Sequence, residues 1–348
     1  MIAMKRLFAL LLCLALLLAF VGCDKEEPPT DDGGAQTPPA EEGLAAQSNL
    51  FMANDQLNNR VVVYDAGRWE RGKSLDDLEV WSVNTGHAAG LKYREDSVFG
   101  DVVIVAGSRS AIYSYPEGKT VWSTNNPGNN SHSIELLPSG HIIIANSTGA
   151  TLRLFYTNNL IAGGDASKAQ TFVDFPFDGA HGVLWDPTYN VLWALGNREL
   201  RAYFVQGEGN DLTLVQDTTR GCKFADDRLW GHDLSPDYTD TRYLYLTVDA
   251  CVMRFDKNSN ALIESFENAD KLTRKSIKGF SNNPSGNFFV SGETGGAGTT
   301  WKNHSKASWC TDGVYFGYTD PEDGFTVVRM SSTKSFFYKI RAFCGAYQ

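Results

Sequence analysis

Residues 129–150 read NNSHSIELLPSGHIIIANSTGA, and the reading of this stretch decides the fold. It contains a small residue and His132, a short apolar strand pattern, a Pro-Ser-Gly turn, and the strongly apolar run HIIIAN. Short β-branched runs bounded by turn residues are strand signals, and two of them around a tight turn form a hairpin. The question is whether the unit recurs.

It does recur. GHAAGLKYREDSVFGDVVIVAGS begins at Gly86, AHGVLWDPTYNVLWALG at Ala180 and GHDLSPDYTDTRYLYLTVD at Gly231. A further copy, IKGFSNNPSGNFFVSG, has Lys278 where the others have histidine, and its NNPSG turn matches LLPSG. The marker residues His87, His132, His181, His232 and Lys278 are 45, 49, 51 and 46 positions apart. A period of about 40–50 residues built from three or four strands is the pattern of a propeller blade. Helical periodicity is scarce, which argues against a helical solenoid.

The ends complete the ring. The N-terminal piece supplies NLFMAND, RVVVYD and LEVWSV, and the C-terminal piece supplies only SFFYKIRAF. One inner strand from the C-terminus with three outer strands from the N-terminus makes a sixth blade, and closure removes exposed sheet edges. The sequence therefore predicts an all-β, six-bladed β-propeller over residues 49–348. The long segment from Gly292 to Phe325 leaves room for a seventh blade.

Residues 1–22 carry Lys5 and Arg6, then a long apolar run, then Gly22 before Cys23. This is the charged and apolar layout of a secretory signal. The end FVGC resembles the bacterial lipobox, which implies lipid on Cys23 and a protein held on the extracytoplasmic side of the bacterial cell-envelope membrane. Residues 23–48 are rich in Pro, Gly and acid and cannot bury enough apolar surface to order, so they read as a tether. The formal net charge is −10, which offers no broad basic field for nucleic acid. The chain is expected to be a monomer.

Four cysteines lie in the folded part: Cys222, Cys251, Cys310 and Cys344. An oxidising compartment favours disulfides, and the pairs Cys222–Cys251 and Cys310–Cys344 are expected because each joins elements near in sequence. The glycine-rich SGETGGAGTTW from Ser291 lacks the Lys-Ser/Thr of a phosphate loop and reads as a loop at the channel mouth.

In a propeller the first strand of each blade lines the central channel. His87, His132, His181, His232 and Lys278 should therefore converge at one mouth, joined from the closing strand by Lys339 or Arg341. Imidazoles beside ammonium groups make a positive spot suited to sulfate, phosphate or carboxylate. The sequence marks no definite cofactor, but three neutral imidazoles of the ring could hold a divalent metal such as Zn²⁺ or Mn²⁺. The alternative is structural: Gly-His at 86–87 and 231–232 is similar to the WD repeat, in which the histidine bonds between strands, but the spacing to the turn differs.

His132, Leu136, Leu137, Pro138 and Gly140 form a His-x-x-x-Leu-Leu-Pro-x-Gly motif that resembles the repeat of bacterial arylsulfotransferases. That resemblance implies a six-bladed ring whose channel histidines and an arginine handle a sulfuryl group. The overall layout is similar to bacterial secreted lipoprotein propellers of unassigned function, and the channel histidines to propeller-type pectate-oligomer lyases with a metal. The expected partner is an anionic small molecule or saccharide. Catalysis at the same place, by sulfuryl transfer or metal-assisted lyase chemistry, and a protein-interaction scaffold are the alternatives.

Overall fold

A computed structural model describes residues 49–157, 160, 163, 169–228, 230–272, 276–292 and 309–346. The chain divides into two units, Met1–Ala40 and Glu41–Gln348, and all described residues belong to the second. The signal, Cys23, the tether and most of the glycine-rich segment lie outside the described residues.

Blade one contains β1 (Leu50–Asp55), β2 (Arg60–Asp65) and β3 (Glu79–Asn84). Blade two is β4 (Ala88–Ser97), β5 (Gly100–Gly107), β6 (Ser110–Ser114) and β7 (Thr120–Thr124). Blade three is β8 (Ser131–Leu136), β9 (Ile142–Asn146), β10 (Thr151–Phe155) and β11 (Phe172–Pro176). Blade four is β12 (Gly182–Asp186), β13 (Val191–Leu195), β14 (Glu199–Gln206) and β15 (Thr213–Lys223). Blade five is β16 (Asp233–Pro236), β17 (Tyr243–Thr247), β18 (Val252–Asp256) and β19 (Ala261–Ile263). Blade six is β20 (Ile277–Asn282), β21 (Phe288–Gly292), β22 (Gly313–Asp320) and β23 (Gly324–Ser331), and β24 (Phe337–Ala342) follows.

The described residues form six antiparallel four-stranded sheets. The segment from Gly292 to Phe325 contributes β22 to blade six and the described residues contain no seventh sheet. Blade one has the order β24-β1-β2-β3, so the C-terminal strand closes the ring on the N-terminal ones. Phe51 faces Ala342 and Ala53 faces Ile340 across that seam. Phe51 also stacks on Phe289 of blade six at 4.9 Å between ring centroids, so packing between blades reinforces the hydrogen-bonded closure.

The core is a set of apolar layers between neighbouring blades, as the unbroken apolar inner runs require. Ile143, Ala145, Leu152 and Leu154 of blade three pack on Val183, Leu192 and Ala194 of blade four, all buried. Inner strands of adjacent blades approach so closely that a side chain cannot fit at some positions. A Cβ on Gly90 would lie 2.4 Å from the His132 carbonyl oxygen, and one on Gly279 would lie 2.6 Å from the Ile340 nitrogen.

The expected disulfides are not formed; Cys222, Cys251, Cys310 and Cys344 are unbridged thiols. Thr311 bridges Phe337 at the start of β24, whereas Cys344 follows the end of that strand. Six residues of strand span roughly 20 Å, and a disulfide needs Cα atoms within about 7 Å. Cys310 and Cys344 therefore sit at opposite mouths, and Cys310 Sγ instead donates to Gln56 Oε1 at 3.2 Å. Cys222 and Cys251 flank one apolar cluster between blades four and five as separate thiols. Burial pushes the Cys222 thiol up to about 12 and raises that of Cys251, which keeps both protonated.

Candidate functional site

Each inner strand starts with a bulge, in which two residues oppose one on the neighbouring strand. The pairing shifts between Ser131 and Ser133, between Ile277 and Gly279, and between Ala88 and Gly90. In blades four and five the histidine nitrogen joins the same partner as the next residue: His181 bonds the Leu195 carbonyl and His232 the Thr247 carbonyl, both at 2.8 Å. On the closing strand Tyr338 and Lys339 both bond the Asn54 side chain. Bulges re-aim side chains at barrel rims and beside functional sites. Here they turn His132, His181, His232, Lys278 and Tyr338 onto one mouth of the channel.

His132 and His181 have ring centroids 4.3 Å apart, and those of His181 and His232 are 5.6 Å apart. Lys278 Nζ lies 2.9 Å from His232 Nε2, and the Tyr338 hydroxyl lies 3.2 Å from His132 Nδ1. Lys339 lies directly beneath, donating to the His132 carbonyl at 3.1 Å and the His181 carbonyl at 3.3 Å. Its counter-ion is Asp233 at 3.4 Å, but Arg341 holds the same carboxylate through both guanidinium nitrogens. One carboxylate thus serves two buried cations.

Two sequence expectations need correction. His87 is exposed and precedes β4, because the pairing of β4 with β5 puts Ala89, not His87, at the bulge. It still lines the cavity next to His132. Arg341 does not join the mouth; it lies two residues further along β24, fixed to Asp233 and to the Leu234 carbonyl. Lys339 does belong to the cluster, one residue beyond the bulge position held by Tyr338.

Deeper in the channel Lys92 donates to Ile134 and Val183 carbonyls and pairs with Glu135 at 2.9 Å. Glu135 also accepts from Arg94 Nε at 3.0 Å and Nη2 at 2.8 Å. These side chains reach from blade two across to blades three and four and fill the channel below the histidines. Burial lowers Lys92 to about 7 and Lys339 to about 8, each partly offset by its carboxylate, Glu135 and Asp233 respectively.

The imidazoles are held neutral. Burial, then His181, Lys339, His232 and Lys278, push His132 well below the ordinary value. Burial lowers His181 to about 3, and burial with Lys278 lowers His232 to about 4 despite the Asp249 carboxylate 2.5 Å from its Nε2. His181 Nδ1 is 2.7 Å from the Gly179 carbonyl; a carbonyl only accepts, so Nδ1 carries the proton and Nε2 keeps its lone pair.

Among the described residues no group of three His, Cys, Asp or Glu side chains could hold a metal. The His132 and His181 rings lie side by side, tilted by 34°, rather than pointing at a common centre. His132 Nδ1 faces Tyr338, and His181 Nδ1 is committed to a carbonyl.

A cavity of about 440 Å³ opens beside His132, lined by Gln56, His87, Ser108, Asn130, Ser131, Trp309 and Tyr338 among others. That volume falls within the range of small-molecule sites. Asp233, Asp249, Tyr338, Trp309 and Gln56 were not singled out from the sequence. Each occurs on one blade only, so the repeat does not mark it. Tyr338 was missed by one residue, because SFFYKIRAF has no turn of its own to align.

Six four-stranded blades around a filled channel, with imidazoles gathered at one mouth, define a six-bladed β-propeller. The chain belongs to the DUF6528 family, a family of unknown function, whose model matches residues 3–314. No curated protein is detectably similar in sequence. Among solved structures, a protein of unknown function from Bacteroides caccae is 10% identical with a TM-score of 0.51, covering 84% of this chain and 97% of that one. A putative 6-phosphogluconolactonase from Bacteroides fragilis is 15% identical with a TM-score of 0.49, over 83% of this chain and 81% of that one. A periplasmic gluconolactonase from Pseudomonas aeruginosa is 14% identical with a TM-score of 0.48, over 80% of each chain. At 10% identity the likeness to the Bacteroides caccae protein is one of fold, and fold alone does not carry function.

Proposed function

We propose that this propeller binds an anionic small molecule or saccharide at the His/Lys mouth, on the extracytoplasmic side of a bacterial membrane to which lipid on Cys23 holds it. One observation carries the ligand reading: Lys339 lies beneath the row His132–His181–His232 and shares Asp233, its one carboxylate among the described residues, with Arg341. A buried cation with an incomplete counter-ion stabilises an anion brought close to it. The cavity beside His132 gives such a molecule a way in. The anchor rests on the charged, apolar and FVGC segments of residues 1–23.

Isothermal calorimetry with sulfate tests the site. Binding is expected in the wild type and is expected to fall at least tenfold in His132→Gln. No heat with sulfate, glucuronate or phosphate at millimolar concentration would overturn the reading. A crystal soaked with selenate should show its strongest anomalous peak beside His132. For the anchor, labelled palmitate should enter the wild type and not Cys23→Ala; equal labelling refutes it.

A second reading, turnover at the same mouth, is favoured by the fixed tautomer of His181. An imidazole with Nδ1–H held by Gly179 and a lone pair on Nε2 is arranged as a base or nucleophile. Release of phenol from an aryl sulfate, lost in His181→Gln, would support it.

A further inference from the structure

The cavity has a second feature that an anion alone does not explain. Trp309 lines it and is 42% exposed, the indole of a residue type that is usually well covered. It is also held in place. Its Nε1 donates to Gln56 Oε1 at 3.0 Å, and Gln56 Nε2 donates to the Ala88 carbonyl at 2.8 Å. The amide is thus used on both sides to fix an indole at the cavity rim, which leaves a flat apolar surface with no polar demand of its own.

The rest of the lining sets small residues, Ala89, Gly107 and Gly128, beside polar ones. His87, Ser108 and Asn130 are exposed, and their side chains make no hydrogen bond to other described residues. Ser131 and Tyr338 are already engaged, with Asn146 and His132. A lining that combines hydroxyl, amide and imidazole groups with an exposed indole suits a molecule with hydroxyls around its edge and C–H groups on its face. That is the chemistry of a sugar ring. An apolar ligand would leave the polar groups unpaired, and a bare inorganic anion would leave the indole uncovered.

No lysine or arginine is among the described residues that line the cavity; the buried Lys339 donates its Nζ to the carbonyl of His132, one of those residues. From this juxtaposition we infer that the ligand is an acidic monosaccharide unit, a uronate or a sugar acid, whose ring lies on Trp309 with its hydroxyls toward His87, Ser108 and Asn130 and its acidic group toward His132 and Lys339. This deepens the proposed function and rests on it.

Calorimetry with three probes, D-glucuronate, D-glucose and sulfate, separates the two ideas. Glucuronate should bind at least tenfold tighter than either glucose or sulfate. Trp309→Ala should weaken glucuronate about tenfold, the scale of a truncated aromatic anchor, and leave sulfate unchanged. Trp309→Phe, which keeps a flat ring, should retain most of the affinity. Ser108→Ala with Asn130→Ala should weaken glucuronate without affecting sulfate. If sulfate binds but glucuronate binds no tighter, or if Trp309→Ala weakens both equally, the saccharide assignment is overturned and the anion site stands. If none of the three binds, both fall.

Discussion

Three histidines kept neutral by burial have a consequence for stability that acid makes measurable. His132, His181 and His232 are all held below the ordinary imidazole value, His181 at about 3 and His232 at about 4. In the unfolded chain each titrates near 6.5. Below that pH the unfolded state takes up protons that the folded state refuses, so stability falls as pH falls. The slope is about 1.4 kcal/mol per pH unit per group. For three groups the loss between pH 6.5 and pH 5 is roughly 5 kcal/mol, a large share of the ~5–15 kcal/mol of a typical domain.

Other buried groups do not share this window. Glu135 and Asp233 are lowered carboxylates, so their contribution persists until the pH falls into the ordinary carboxylate range. Lys92 and Lys339 are lowered to about 7 and about 8, so their loss is nearly complete before pH 6.5 is reached from above. Urea unfolding followed by circular dichroism at pH 7.0, 6.0, 5.5 and 5.0 should therefore show a steepening fall. His181→Gln loses the bond to Gly179 and starts less stable, but its slope below pH 6 should be shallower by about 1.4 kcal/mol per pH unit. Saturating sulfate, which favours the charged imidazoles, should flatten the wild-type curve. A wild-type curve that stays flat from pH 7 to pH 5, or a slope unchanged in His181→Gln, would refute the claim that these imidazoles are neutral.

Further outcomes follow from the packing. Asp233→Leu leaves Arg341 and Lys339 buried without their carboxylate and should cost about 3–5 kcal/mol, read as a lower denaturation midpoint. Phe51→Ala removes the ring stacked on Phe289 at the closing seam and should cost about 3–5 kcal/mol, with early hydrogen exchange in β24 as its local signature. Tyr338→Phe removes the hydroxyl at His132 Nδ1 and should cost about 1 kcal/mol while changing the pH dependence of sulfate binding.

Legibility varied from blade to blade. His132 and Lys278 were found because SHSIELLPSG and IKGFSNNPSG share a turn at equal spacing, and the turn fixes the hairpin register. His87 was misplaced by two residues because GHAAGLKY lacks that turn, and only the pairing of Gly90 with Ala106 shows that Ala89 holds the bulge. The disulfide pairs rested on closeness in sequence, yet β24 separates Cys310 from Cys344 by the length of a strand.

By itself the sequence determined the strand pattern, the period of the blades and the closing of the ring by the C-terminal strand, and left a seventh blade open. These depend on alternation, turn residues and period, which are local or repeat at fixed intervals. Only the tertiary structure decided which charges neutralise one another and where a ligand can enter. Arg341 meets Asp233 across 108 residues of chain, Lys92 meets Val183 across 91, and Trp309 is fixed by Gln56 across 253. Such pairs lie on blades that share no strand, and no spacing rule predicts them. They form because a closed ring brings distant inner strands within side-chain reach of one axis, where each buried charge must find a partner.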